Sequence, residues 1–308
     1  MSQRRLTLVA SALTAVFFLG ILAPSRAFAG AVVLDMRTDP HLDVQGAGPA
    51  CFAFDAATAA KFPSDARGSY VEQFDSTHPT TRAVAALGAP YTEADDFVFG
   101  AVLSIRPTGF EADPFGFHPI TFSLINSQTT GFNRTGNLSD FRSDTFDTLD
   151  VAYFPQVSPF FGGPFLSPTV FGSAVSDDAF ADFAFGSTAF ELLPGATYVV
   201  TAEHHAADRS LVVTVYGLGA GGRPIAIPGG QSAADLSNLT AFRVDSIAIT
   251  AYEDGFNVFT QSGRSVRADI DYDLLFFAPG SLSDAGSLPA LSGILNRSGD
   301  GARGLSSH

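Results

Sequence analysis

The chain has 308 residues, a formal net charge of −14 and a composition that is 46% hydrophobic with 30 phenylalanines. So much apolar content excludes a largely disordered protein, and the negative charge excludes nucleic acid and anionic membrane surfaces as natural partners. Cys51 is the only cysteine, which excludes an intramolecular disulfide and leaves the fold to be held by its core.

Residues 1–29 carry the parts of a cleavable export signal in order. Arg4 and Arg5 form the positive start, 6–23 the apolar stretch, and Ala27-Phe28-Ala29 puts small residues where signal peptidase reads them. Cleavage is expected between Ala29 and Gly30. Thr7, Ser11 and Thr14 interrupt the apolar stretch and Pro24 follows it, which argues against a retained anchor. The mature chain is therefore expected to be secreted or periplasmic, without a membrane anchor. Losing Arg4, Arg5 and Arg26 takes its charge from −14 to −17.

The mature chain opens on an apolar run at 30–36 that reads as a strand. The pattern over 40–90 is irregular, with two short helices expected at 55–62 and 80–87, which are alanine-rich and begin on the capping residues Asp55 and Thr80. Cys51 lies in the apolar stretch Ala50-Cys51-Phe52-Ala53-Phe54 and reads as a small buried hydrophobe.

Beyond Tyr91 the chain reads as strands at 96–105, 120–125, 150–154, 180–192, 197–202, 210–216, 239–251 and 265–277. Gly, Pro, Asn and Asp separate them, and no helical pattern recurs between them, so the strands must pair antiparallel. The expected fold is an all-β antiparallel sandwich, jelly-roll-like, with one or two short helices in its N-terminal part. It is expected to be one domain over 30–278, with the main sandwich at 91–278 and a flexible tail at 279–308.

The last strand is the clearest. Val266, Ala268, Ile270, Tyr272, Leu274 and Phe276 share one parity, while Arg267, Asp269, Asp271 and Asp273 share the other. Period two of this kind predicts one face in the core and one in water. In 239–251 the apolar parity changes between Val244 and Ile247, predicting a bulge at Asp245-Ser246. The middle segment 126–176 is rich in Gly, Pro and Phe, and the prolines of 155–168 are expected to keep that stretch out of any central strand. Phe160, Phe161, Phe165 and Phe171, with Asp177 and Asp178, form a candidate ligand-binding surface there.

Two clusters are candidates for a metal. Asp269, Asp271 and Asp273 resemble the start of a calcium loop, although Leu274 stands where such a loop needs glycine. On a strand these carboxylates would share a face about 7 Å apart, close enough for two to flank Ca2+ with help from a loop. Glu203, His204, His205 and Asp208 form the other cluster; it converges only if the chain turns there. Gly217–Gly222 spells G-x-G-x-x-G, but Arg223-Pro224 follows and no helix can begin to hold a pyrophosphate, so it reads as a glycine loop. There is no G-x-S-x-G elbow, and the neighbouring carboxylates Asp95-Asp96 and Asp177-Asp178 would face opposite ways on a strand.

Three stretches are familiar together: Ala94-Asp95-Asp96-Phe97-Val98-Phe99; Phe183-Ala184-Phe185-Gly186 followed by Leu192-Leu193-Pro194-Gly195-Ala196-Thr197-Tyr198; and Asp273-Leu274-Leu275-Phe276. Together they resemble the exported bacterial jelly-roll-like β-sandwich proteins that often carry PEP-CTERM sorting tails. The resemblance covers about 91–277, and 281–308 lacks the Pro-Glu-Pro signal, apolar helix and basic end of such tails. It implies a sandwich in a cell-envelope or matrix setting and supplies no catalytic residues. The first functional expectation is thus a secreted, non-enzymatic binding or structural module of the matrix or envelope. The second is a calcium-stabilised glycan-binding module, with extracellular polysaccharide as partner. The third is a secreted hydrolase with a site around Glu203, His204 and His205.

Overall fold

The structure is a computed structural model that describes residues 30–36, 38–46, 51–56, 68–76, 78–111, 119–132, 144–155, 163–174, 182–218, 224–252 and 267–282. Its regular elements are strands. The N-terminal part forms β1 (Val32–Asp35), β2 (Asp43–Gly46), β3 (Phe52–Asp55), β4 (Ser69–Asp75) and β5 (Thr81–Thr92). The middle forms β6 (Phe97–Glu111), β7 (Ile120–Ile125), β8 (Thr148–Phe154), β9 (Phe165–Phe171), β10 (Phe183–Phe185) and β11 (Thr188–Ala189). The C-terminal part forms β12 (Thr197–His205), β13 (Ser210–Leu218), β14 (Pro224–Asp235), β15 (Arg243–Ala251) and β16 (Arg267–Pro279).

Two antiparallel sheets face each other. The first runs β14-β13-β12-β6-β16-β4-β3, with β1 also on β16; the second runs β10-β9-β8-β7-β15-β5-β2, with β11 also on β9. The side chains that alternate inward from both sheets make one core, in which Phe97, Phe99, Phe122, Leu124, Val200, Ile249, Tyr272 and Phe277 are buried. Its aromatic centre is the packing of Phe277 on Tyr91 (4.5 Å between ring centres) and on Phe97 (5.8 Å). Cys51 is buried in this core, and burial, with the nearby Glu72 carboxyl, pushes its thiol up to about 11.

Several expectations are corrected. Residues 80–87 are not a helix: β5 covers 81–87, and its Ala83, Ala85 and Leu87 turn toward the core while both its edges pair, with β15 and β2. Alanine's helical preference is worth a few tenths of a kcal/mol per residue, less than two ladders and a buried face return. Of the helix expected at 55–62, Asp55 closes β3, and 57–62 lie outside the described residues. The irregular stretch 40–90 in fact contributes four strands, and the expected strand 180–192 is split into the short β10 and β11.

Pro168 does lie within a central strand. Its carbonyl accepts the Gly186 N–H at 3.0 Å, on the side of β10 and β11. Because N–H and C=O of one residue point to the same edge of an antiparallel strand, the donor that Pro168 lacks would face the gap between those two short strands. The ladder to β8 is therefore complete. The prolines after the glycine loop are accommodated differently. Pro224 and Pro228 lie on β14, at the end of its sheet, and the ladder to β13 breaks register beside Pro228.

In β15 the register breaks at Asp245 as expected; the additional residues lie on the partner, at Leu87–Pro90 of β5, where Gly88 takes a φ of +79°. In β16 the alternation does not persist. Asp273 is a bulge against β6, so Leu275 and Phe277 face the core, while Leu274 and Phe276 join Val98, Val102 and Val199 in a second apolar cluster on the outer face. Nor is the acidic parity a solvated one, because Asp271 is 1% exposed.

Candidate functional site

Asp271 is the best-held of the three carboxylates on β16. Arg106 donates from Nε to its Oδ1 at 2.9 Å, a terminal nitrogen of the same guanidinium forms an ion pair with that oxygen at 2.8 Å, and the Ser69 hydroxyl lies 3.4 Å away. A cation at this carboxylate would meet the Arg106 charge, and Asp273 is set apart by its bulge. Asp269 is half-buried. These residues do not fit a Ca2+ site, and among the described residues no three His, Cys, Asp or Glu side chains are placed to hold a metal.

The histidine cluster diverges. His204 points inward, stacked on Phe97 at 4.8 Å and edge-on to Phe242 at 5.2 Å. Its Nδ1 donates to the Asp95 carbonyl at 2.8 Å, and burial lowers its pKa, so the ring is neutral with its lone pair on Nε2. That Nε2 is buried without a hydrogen-bond partner, and His204 lines a small gap with Glu93, Arg209 and Phe242. Glu203 and His205 alternate to the opposite face of β12, where Glu203 accepts the Leu282 N–H at 3.2 Å. Asp208 is exposed in the turn between β12 and β13. A hydrolytic triad is not assembled from these four.

Phe165 and Phe171 come together with a group that the sequence reading did not identify. Both lie on β9 and share the parity opposite to the core residues Leu166 and Val170, so they belong to the outer face of the second sheet. Phe160, Phe161, Asp177 and Asp178 lie outside the described residues. Phe165 stacks on Phe154 of β8 at 4.4 Å. Phe171 packs against Phe183 at 5.0 Å, and Phe183 stacks on Phe185 at 5.4 Å. Phe185, on the edge strand β10, is 51% exposed.

Between these rings and β5 runs a polar belt made by the same alternation. On β7, Ile120, Phe122 and Leu124 enter the core, which leaves Thr121 and Ser123 outside; on β8, Leu149, Val151 and Tyr153 enter, which leaves Asp150 outside. Register then places Thr250 of β15 between Thr121 and Arg82, and Ser123 beside Asp150. Ser123 donates a short hydrogen bond to Asp150, and the Tyr252 hydroxyl lies 3.3 Å from the same carboxylate. Arg82 donates to the carbonyls of Thr130 and Gly131, at 2.9 Å each, and its guanidinium lies 3.9 Å from the centre of the Phe132 ring. All of these belt side chains are buried, while Phe132 at the Arg82 end is 38% exposed. Arg82 Nε and Thr250 Oγ1 have no hydrogen-bond partner. The signal for the belt was present in the sequence as polar residues at alternate positions, but this is also how an ordinary solvated face is written.

No known family profile and no curated protein matches this chain. Among solved structures, it is similar to the basic winged bean lectin with Tn-antigen, at 15% identity over 82% of this chain and 99% of that one, with a TM-score of 0.47. It is similar to the Emp47p carbohydrate recognition domain at 10% identity over 82% and 96%, with a TM-score of 0.46. Peanut lectin with a nine-residue peptide is 11% identical over 81% and 97%, with a TM-score of 0.45.

Proposed function

We propose that this chain is an exported, non-enzymatic, jelly-roll-like β-sandwich that binds a glycan on the outer face of its second sheet. The observation that carries the reading is the belt of Arg82, Ser123, Asp150 and Thr250 flanked by the rings of Phe132, Phe154, Phe165, Phe171, Phe183 and Phe185. A sugar presents C–H faces and hydroxyl edges. Aromatic rings pack the first, and a few fixed charged donors and acceptors orient the second. The setting is the cell envelope or extracellular matrix, as residues 1–29 and the resemblance to exported sandwich proteins suggest, and the partner is an extracellular polysaccharide. Arg82 supplies the positive charge of this site.

Electrophoresis of the purified protein through native gels containing different soluble polysaccharides tests the proposal. At least one polysaccharide should slow the protein relative to an inert marker. Equal mobility in every gel would remove glycan binding and leave a purely structural module.

A further inference from the structure

Arg82 and Thr250 face each other across β5 and β15 on the outer face, with side chains about 5 Å apart at their roots. Each buries a polar atom with no partner: Nε of the guanidinium and Oγ1 of the threonine. Leaving two such groups unpaired side by side is costly, and it is understandable if a ligand atom completes them. Thr130 and Gly131 occupy another nitrogen of the guanidinium, and Phe132 holds its plane, so Nε is presented in a fixed direction. Phe132 beside the guanidinium is 38% exposed, whereas Arg82 and Thr250 are 3% and 2% exposed, so a group that reaches them is small.

The surroundings determine the charge of that group. Asp150, Asp144 and Tyr252 all act electrostatically on Arg82, and Asp150 is buried in the same belt. The Arg82 charge is thus already balanced, and an incoming carboxylate or sulfate would meet Asp144 and Asp150 in a chain of net charge −14. A hydroxyl brings no such penalty: it can accept from Nε and share a hydrogen bond with Oγ1.

We propose that Arg82 and Thr250 form a subsite for one hydroxyl group of an uncharged sugar, and that the protein selects neutral over acidic polysaccharides. This rests on the glycan-binding reading above.

The test compares wild type, Thr250→Val and Thr250→Ser in gels containing neutral polysaccharides (dextran, mixed-linkage β-glucan, galactan) or acidic ones (alginate, polygalacturonate), with a thermal melt of each variant. Valine keeps the shape and removes the unpaired hydroxyl, so the T250V fold should be as stable as wild type or more so. Its affinity for the neutral polysaccharide that retards wild type should fall about tenfold, the loss of one hydrogen bond, while T250S should stay within about twofold of wild type. Retardation by a neutral polysaccharide that T250V leaves unchanged would overturn the subsite. Stronger retardation by the acidic polysaccharides would overturn the selectivity while glycan binding stood. No retardation by any of the five would overturn both.

Discussion

Glu72 lies at the centre of the sandwich on β4, 0% exposed, where the Tyr272 hydroxyl donates to its Oε2 at 3.0 Å and Oε1 has no partner. Burial pushes its carboxyl from an ordinary 4.5 up to about 8, with the Tyr272 bond opposing only part of the rise. The native state therefore prefers the protonated acid, and the unfolded chain ionises first. Stability from this group is complete below about pH 4.5, declines as pH rises and is lost by about pH 8; at about 1.36 kcal/mol per pH unit the total is on the order of 5 kcal/mol. Its titratable neighbours do not share that window, because the Cys51 thiol is held at about 11 and the Tyr272 phenol well above 10. Glu72→Gln keeps the shape and cannot ionise. Urea unfolding of both proteins across this range should show the wild type losing stability relative to E72Q as pH rises, with the two closest at the acid end and E72Q ahead at the alkaline end. A constant difference between the two across the range would refute the buried neutral acid.

Three further outcomes follow from the packing. Arg106→Met should destabilise the fold by about 3 kcal/mol, because Asp271 would stay buried without its counter-charge, and Arg106→Met with Asp271→Leu should recover most of the loss; denaturant melts of the single and double variants decide it. Gly186→Ala should cost about 1–3 kcal/mol, since a methyl group there would meet the Ala233 carbonyl of β14, and an unchanged melting temperature would contradict the close approach of the two sheets at that edge. Cys51 should not react with a thiol reagent at neutral pH until the protein unfolds, being buried with its thiol at about 11; rapid labelling of the native protein would place it elsewhere.

Much of the sandwich was legible in the sequence because a strand with one face in the core writes period two directly, as Ile120–Ile125 does within its observed bounds. The alternation failed where backbone geometry intervenes. The Asp273 bulge reverses β16, and nothing in Asp271-Tyr272-Asp273-Leu274 marks it, since Leu275 and Phe277 are as apolar as Leu274 and Phe276. Pro168 misled because a proline excludes a ladder only on the edge its nitrogen faces, and that edge depends on register. The alanines of β5 misled because local preference is weaker than pairing on two sides.

The candidate site was legible in part. Phe165 and Phe171 have the same parity, and a cluster of phenylalanines in a loop-like stretch was enough to single them out. Arg82, Ser123, Asp150 and Thr250 are scattered over four strands, and only the order β5-β15-β7-β8 makes them neighbours. Conversely, adjacency in sequence joined Glu203, His204 and His205, which a strand then divides between two faces.

The most direct test of the account is to map the ligand on the protein. Isotope-labelled protein would be titrated with neutral oligosaccharides prepared from whichever polysaccharide retards it, and its backbone amide resonances followed by NMR. The account predicts saturable shifts concentrated at Arg82, Thr121, Ser123, Phe132, Asp150 and Thr250. Shifts confined to the first sheet or to the Glu203–Asp208 turn would contradict it.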